Sequence, residues 1–149
     1  MPDFAYQKQE PEITGGFYAR NSVRRNESLI LVLRTGLSGI RFYLDPENKP
    51  EDKELLESLV PGTELVLYRE PNNIHDKWAI EVYTRDNIHI GYITRFKNET
   101  VARLMDLGRE FKVFVCEQMK LPTDEDEYRR NVAPTEDYRI TLEIFMVER

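Results

Sequence analysis

Apolar and polar positions alternate along much of this chain. From Tyr138 to Val147, Tyr138, Ile140, Leu142, Ile144 and Met146 take one parity, and Arg139, Thr141 and Glu143 take the other. A period of two predicts a strand with one buried face. The signal recurs from Glu64 to Tyr68 and from Ala79 to Thr84, where Ile80, Val82 and Thr84 alternate with Ala79, Glu81 and Tyr83. Arg85-Asp86-Asn87 then turns the chain and Ile88 to Ile93 returns it, which is the spacing of a β-hairpin. Ser28 to Arg34, bounded by Thr35-Gly36, and Phe111 to Glu117 are further strands, and Ile40 to Leu44 is read as one more.

Two segments follow a helical period instead. Over Pro50 to Leu59, Leu55, Leu56 and Leu59 share a face, acidic residues fill the first turns, and Pro61-Gly62 ends the pattern. Over Asn98 to Leu107, Val101, Leu104 and Met105 share a face, and Gly108 is placed for a left-handed cap. Six or seven short strands with two helices predict a mainly β fold, a small barrel or strongly curved sheet. The helices are too few for repeated βαβ units, and no internal repeat is visible.

Composition changes this picture little. A chain of 149 residues is one ordinary domain with room for tails. No stretch approaches the roughly 18 apolar residues of a membrane span, and Met1-Pro2-Asp3-Phe4 does not begin like a signal peptide. A cytoplasmic protein is expected. Cys116 is the only cysteine and lies in the apolar run Val113 to Cys116, so it reads as a small buried hydrophobe. His75 and His89 lack the further ligands of a zinc site, and neither metal nor cofactor is implied.

Charge matters more. The net charge of −6 divides into +1 over residues 1–37, −3 over 38–120 and −4 over 121–149. An acidic protein is a poor general binder of nucleic acid, so any such binding must come from a local site. The arginines between Arg20 and Arg25 read as a solvated basic stretch, and Asp124-Glu125-Asp126-Glu127 as part of a solvated acidic loop spanning 121–136.

The unusual segment is Arg69-Glu70-Pro71-Asn72-Asn73-Ile74-His75-Asp76-Lys77-Trp78-Ala79-Ile80, which joins two strands. Asn73 and Asp76 can bond nearby backbone amides, so the loop reads as an ordered turn. Ordered polar loops on a β scaffold often carry binding function, and a self-capping turn without a ligand fits the same residues. Trp78 directly precedes a strand and reads as packing rather than as a stacking platform.

The run Arg69-Glu70-Pro71-x-Asn73-x-x-Asp76-x-x-Ala79-Ile80-x-Val82, then Ile90-Gly91-Tyr92-Ile93 and Arg95, resembles the HIRAN domain. Gly39-Ile40-Arg41-Phe42-Tyr43 is similar to that family's first strand, and Asn98, Ala102, Leu104 and Met105 to its following helix. The resemblance implies an OB-like small β-barrel. It divides the chain into an N-terminal extension with one strand (1–37), a HIRAN-like core (38–120), and an acidic loop with a final strand completing the same domain (121–149). HIRAN domains occur fused to helicase-like ATPases in DNA-damage tolerance and as stand-alone bacterial proteins, and the latter is expected here.

The resemblance further implies a non-catalytic module for single-stranded DNA or DNA 3′ ends, with a role in DNA repair. By likeness, Phe42 takes the first stacking position and Arg41 a phosphate contact. Asn73 and Asp76 match the polar pair that reads the 3′ end, and Arg95 matches a second basic contact. His75 stands where the eukaryotic domain stacks a tyrosine, and Tyr92 where it has histidine, so both ring types are kept in exchanged places. No Gly-x-x-x-x-Gly-Lys motif, nucleophile elbow or catalytic pair supports an enzyme. The alternative is a protein-interaction module using the barrel edge or the acidic C-terminal segment.

Overall fold

The computed structural model describes residues 27–120 and 138–148. Six strands close into one antiparallel barrel: β1 (Ser28–Ser38), β2 (Glu64–Arg69), β3 (Ile80–Thr84), β4 (His89–Ile93), β5 (Phe111–Lys120) and β6 (Tyr138–Glu148). Their order around the barrel is β1-β4-β3-β2-β5-β6, and β6 returns to β1. Every described strand therefore has a neighbour on both sides. The β1–β4 and β2–β5 seams pair at only two positions each, so parts of these strands keep an unpaired edge. The acidic stretch 121–136 lies outside the described residues, as does the arginine patch from Arg20 to Arg25.

Alternation puts Leu65, Ile80, Val82, Ile90, Ile93, Val113, Val115, Ile140, Leu142 and Ile144 inside the barrel. Helix α1 (Pro50–Ser58) closes the core with Leu56 and Leu59, and helix α2 (Glu99–Asp106) with Val101 and Ala102. Proline at the first position of α1 and Glu51 and Asp52 in its first turn suit a helix start. Helix α2 ends as its glycine predicts. Gly108 has φ 90°, and the amides of Gly108 and Arg109 bond the carbonyls of Met105 and Leu104. Leu104, assigned to the apolar face by spacing, is only half-buried, while Ala102 is fully covered.

Three bulges curve the strands. Extra residues enter β1 between Leu31 and Leu33, β4 opposite Val82–Tyr83, and β5 between Val115 and Glu117. The last bulge carries Cys116 into a second buried cluster with Leu29, Phe114, Phe145 and Val147, on the other side of β1, β5 and β6. Strand β6 is thus covered on both faces. Glu143, polar by alternation, is fully buried and accepts a hydrogen bond from Arg34 at 2.6 Å. A buried carboxylate demands such a partner, because an unpaired charge is costly away from water.

The segment read as a strand from Ile40 to Leu44 is instead a 3-10 turn over Ile40–Phe42. Gly39 enters it at φ 78°, a left-handed conformation that opens the turn. Ile40 and Leu44 point into the core, and Arg41, Phe42 and Tyr43 are left on the surface.

The seam between β1 and β4 is narrow, with register pairs only at Leu37↔Ile93 and Ser38↔Tyr92. Gly91 sits beneath it. A Cβ there would lie 2.5 Å from the Ser38 carbonyl oxygen, so glycine is what allows the two backbones to meet.

Candidate nucleic-acid interface

The loop between β2 and β3 is built by its own side chains. Asn73 Oδ1 accepts the amides of His75 (2.8 Å) and Asp76 (3.0 Å). Asp76 Oδ1 accepts the Trp78 amide at 2.9 Å, and its Oδ2 accepts Asn98 Nδ2 at 2.8 Å. Asn98 is 1% exposed at the start of α2, so this bond ties the loop to the helix. Glu70 Oε1 accepts from both Asn73 Nδ2 (2.6 Å) and the Tyr92 hydroxyl (2.8 Å), which ties the loop to β4. The capping roles of Asn73 and Asp76 are therefore fulfilled.

Arg69 secures the base of the loop. Its guanidinium donates to the carbonyls of Ala79 (2.7 Å) and Lys77 (3.0 Å) and to both oxygens of Asp106 on α2. That pairing holds the Asp106 carboxyl below the ordinary carboxylate range. Trp78 packs against the barrel core, with the Arg103 guanidinium 4.3 Å above its ring. It is a packing residue, as its place before β3 predicts.

Above this scaffold lies an open cleft of about 570 Å³, a size ordinary for ligand sites. It is lined by Phe42, Asn73, His75, Asp76, Tyr92 and Arg95, six of the seven residues singled out in the sequence. The seventh, Arg41, lines an adjoining cleft that shares Phe42, with its guanidinium 4.8 Å from the Phe42 ring centre. The Phe42 ring is 72% exposed. Arg95 reaches the His75 carbonyl at 3.3 Å and brings positive charge to the same rim.

Two cleft residues escaped the sequence reading. Tyr43 lies 6.0 Å from Tyr92, ring centre to ring centre. Burial, followed by hydrogen bonding with Tyr43 and donation to Glu70, pushes the Tyr92 hydroxyl well above its ordinary range, so it stays protonated. Phe96 is the second. It is 89% exposed in the turn that follows β4, where the Lys97 amide bonds the Thr94 carbonyl, and it takes no part in the core. A lone aromatic among Thr94, Arg95, Lys97 and Asn98 was the available signal.

The arrangement offers ring faces, one or two cations and a few polar atoms around an open space. No His/Cys/Asp/Glu cluster suited to a metal occurs among the described residues. No helix among them is long and apolar enough to cross a membrane.

Comparison with known proteins agrees with this fold. A protein from Lactobacillus plantarum of known structure superposes with a TM-score of 0.59 at 24% identity, covering 83% of this chain and 99% of its own. The HIRAN domain of human HLTF superposes with a TM-score of 0.53 at 17% identity, covering 83% of this chain and 80% of its own. No curated protein matches the chain. The family profile of the HIRAN domain matches residues 30–132, from β1 through the cleft loop and β5, and on that match the chain belongs to the HIRAN domain family.

Proposed function

We propose that this protein is a non-catalytic module that binds single-stranded DNA and prefers a free 3′ end. HIRAN domains are in general DNA-binding modules. The observation that carries the reading to this chain is the convergence of Phe42, Asn73, His75, Asp76, Tyr92 and Arg95 on one open cleft. Exposed rings accept unstacked bases, at about 1–3 kcal/mol per base. Arg95 and Arg41 supply phosphate contacts from two sides of Phe42. The remaining Asn73 amide proton and the free lone pairs of Asp76 suit a terminal hydroxyl.

His75 presents a smaller ring than tyrosine, and the chain's net charge is negative, so the affinity is modest. Two phosphate contacts give a shallow salt dependence, with a slope of about −0.7 per contact for single strands. The binding unit is residues 38–120 with the strands that close the barrel around them. A role in DNA repair and a cytoplasmic location belong to the same proposal.

Fluorescence anisotropy with labelled single strands, bearing a free or a phosphate-blocked 3′ end, tests the reading. Tighter binding to the free 3′ end, lost on Phe42→Ala, is expected. Equal binding to both strands would remove the end preference. Absence of binding at low salt would remove the DNA reading altogether.

A further inference from the structure

A second recognition surface lies beside the cleft, on the outward face of β2, β3 and β4. Register places Tyr68 opposite Glu81 and Glu81 opposite Tyr92 in one row, and Val66 opposite Tyr83 and Tyr83 opposite His89 in the next. The rings touch. Tyr68 meets Tyr83 edge-on at 5.0 Å, Tyr83 stacks on His89 at 4.7 Å and 7°, and Tyr43 lies tilted 4.1 Å from the His89 ring. Tyr68 and Tyr43 keep substantial exposure, 47% and 38%, so this row is open to a partner.

The charged groups that flank these rings are carboxylates. Glu64, at one end, is neutralised by Arg85 at 2.9 Å. Among the described residues Glu70 and Glu81 form no ion pair with lysine or arginine; Glu70 accepts from Asn73 and Tyr92, and Glu81 from the Tyr83 hydroxyl at 3.5 Å. His89 lies beside them, its Nε2 2.9 Å from the Gly91 carbonyl and its Nδ1 facing the Glu81 carboxylate at 3.7 Å. Both Glu81 and Glu70 raise the Tyr83 hydroxyl above its ordinary range, after burial, which places their fields on the same rings.

Electron-rich ring faces beside carboxylates that lack a lysine or arginine partner attract cations and repel phosphates. We propose that this face recognises an arginine or lysine side chain in a basic segment of a protein partner, held by Tyr68, Tyr83 and Tyr43 beside Glu81. The site shares Tyr43 with the DNA cleft and adjoins it at Tyr92, and it does not depend on DNA binding.

The test is an NMR titration of the isotope-labelled full chain with the capped peptide acetyl-Gly-Arg-Gly-Arg-Gly-amide, with the glutamate analogue as control. Shifts of Tyr68, Glu81, Tyr83 and His89 by the arginine peptide alone are expected. Glu81→Gln, which preserves shape and polarity, should weaken binding roughly two- to fivefold. Tyr68→Leu, which keeps an apolar strand surface, should weaken it as well, so the test survives if one variant fails to fold. Equal shifts with the glutamate control, shifts confined to residues 121–136, or undiminished binding by both variants would overturn the proposal. Shifts on this face that follow protein concentration without peptide would assign it to a second copy and also overturn it. Single-stranded DNA titrated in parallel reads the cleft separately, so either proposal can fail alone.

Discussion

Replacing Asp76 by alanine removes two acceptors from one point. Oδ1 is lost to the Trp78 amide and Oδ2 to the Asn98 side chain. Hydrogen bonds to a charged group are worth about 1.5–3 kcal/mol each, and a buried donor left unpaired costs about 1–3 kcal/mol. The Trp78 amide is half-buried and recovers part of its loss from water. Asn98 is 1% exposed and cannot. A net loss of roughly 2–4 kcal/mol follows. For a domain of this size that lowers Tm by roughly 8–15 °C. Asp76→Asn separates geometry from charge. It keeps an oxygen for the Trp78 amide, and the Asn98 amide can rotate to offer its oxygen to the new NH₂ group. Its loss should be about half as large, in neutral bonds of about 1 kcal/mol each. Thermal and urea unfolding of both variants, followed by Trp78 fluorescence, gives the comparison. An Asp76→Ala protein melting within about 2 °C of the parent would refute the reasoning, because the loop would then stand without its link to α2.

Other outcomes follow from the same geometry. Phe96→Ala should leave stability within about 0.5 kcal/mol, because the ring packs on nothing, yet reduce single-strand affinity about five- to a hundredfold if it stacks a base; anisotropy and a melting curve read the two effects. Gly91→Ala should cost about 1–3 kcal/mol in urea unfolding, because a Cβ meets the Ser38 carbonyl across a seam of two register pairs. The Cys116 thiol is pushed up to about 11, chiefly by burial, so it should react with a disulfide reagent at pH 8 only as fast as the protein unfolds. The sign is that of an acid kept neutral by folding. Its contribution to stability is complete below the unfolded value of 9.0 and disappears as pH rises towards about 11, which unfolding of Cys116→Ala against the parent across that range measures.

Strand content was legible because period-two alternation survives wherever one face meets the core. The segment from Ile40 to Leu44 was misread because Ile40, Phe42 and Leu44 sit two apart, like a strand. Gly39 breaks that pattern by its backbone alone, and Phe42 ends outside. Asn73 and Asp76 were legible as caps because their backbone partners are two or three residues away. The loop's ties to the rest of the barrel were not, because Glu70–Tyr92 and Asp76–Asn98 each span 22 residues and meet only through the fold. The aromatic row was hidden by the β4 bulge, which brings His89 and Tyr92 to the same outer face against the count of two.

Closure of the barrel by β1 and β6 also sets an order of assembly. Ser28 pairs with Glu148 and Gly36 with Thr141, so this ladder joins residues more than a hundred positions apart. Bringing such ends together costs about 4 kcal/mol of chain entropy before any contact repays it. By contrast β2, β3 and β4 pair within 30 residues and carry the whole cleft loop between them. The loop that presents Asn73, His75 and Asp76 is therefore expected to form early in folding, with Phe42 reaching it when β1 docks. Substitutions in β3 should slow refolding, while those in β1 should mainly speed unfolding, and stopped-flow kinetics distinguish the two.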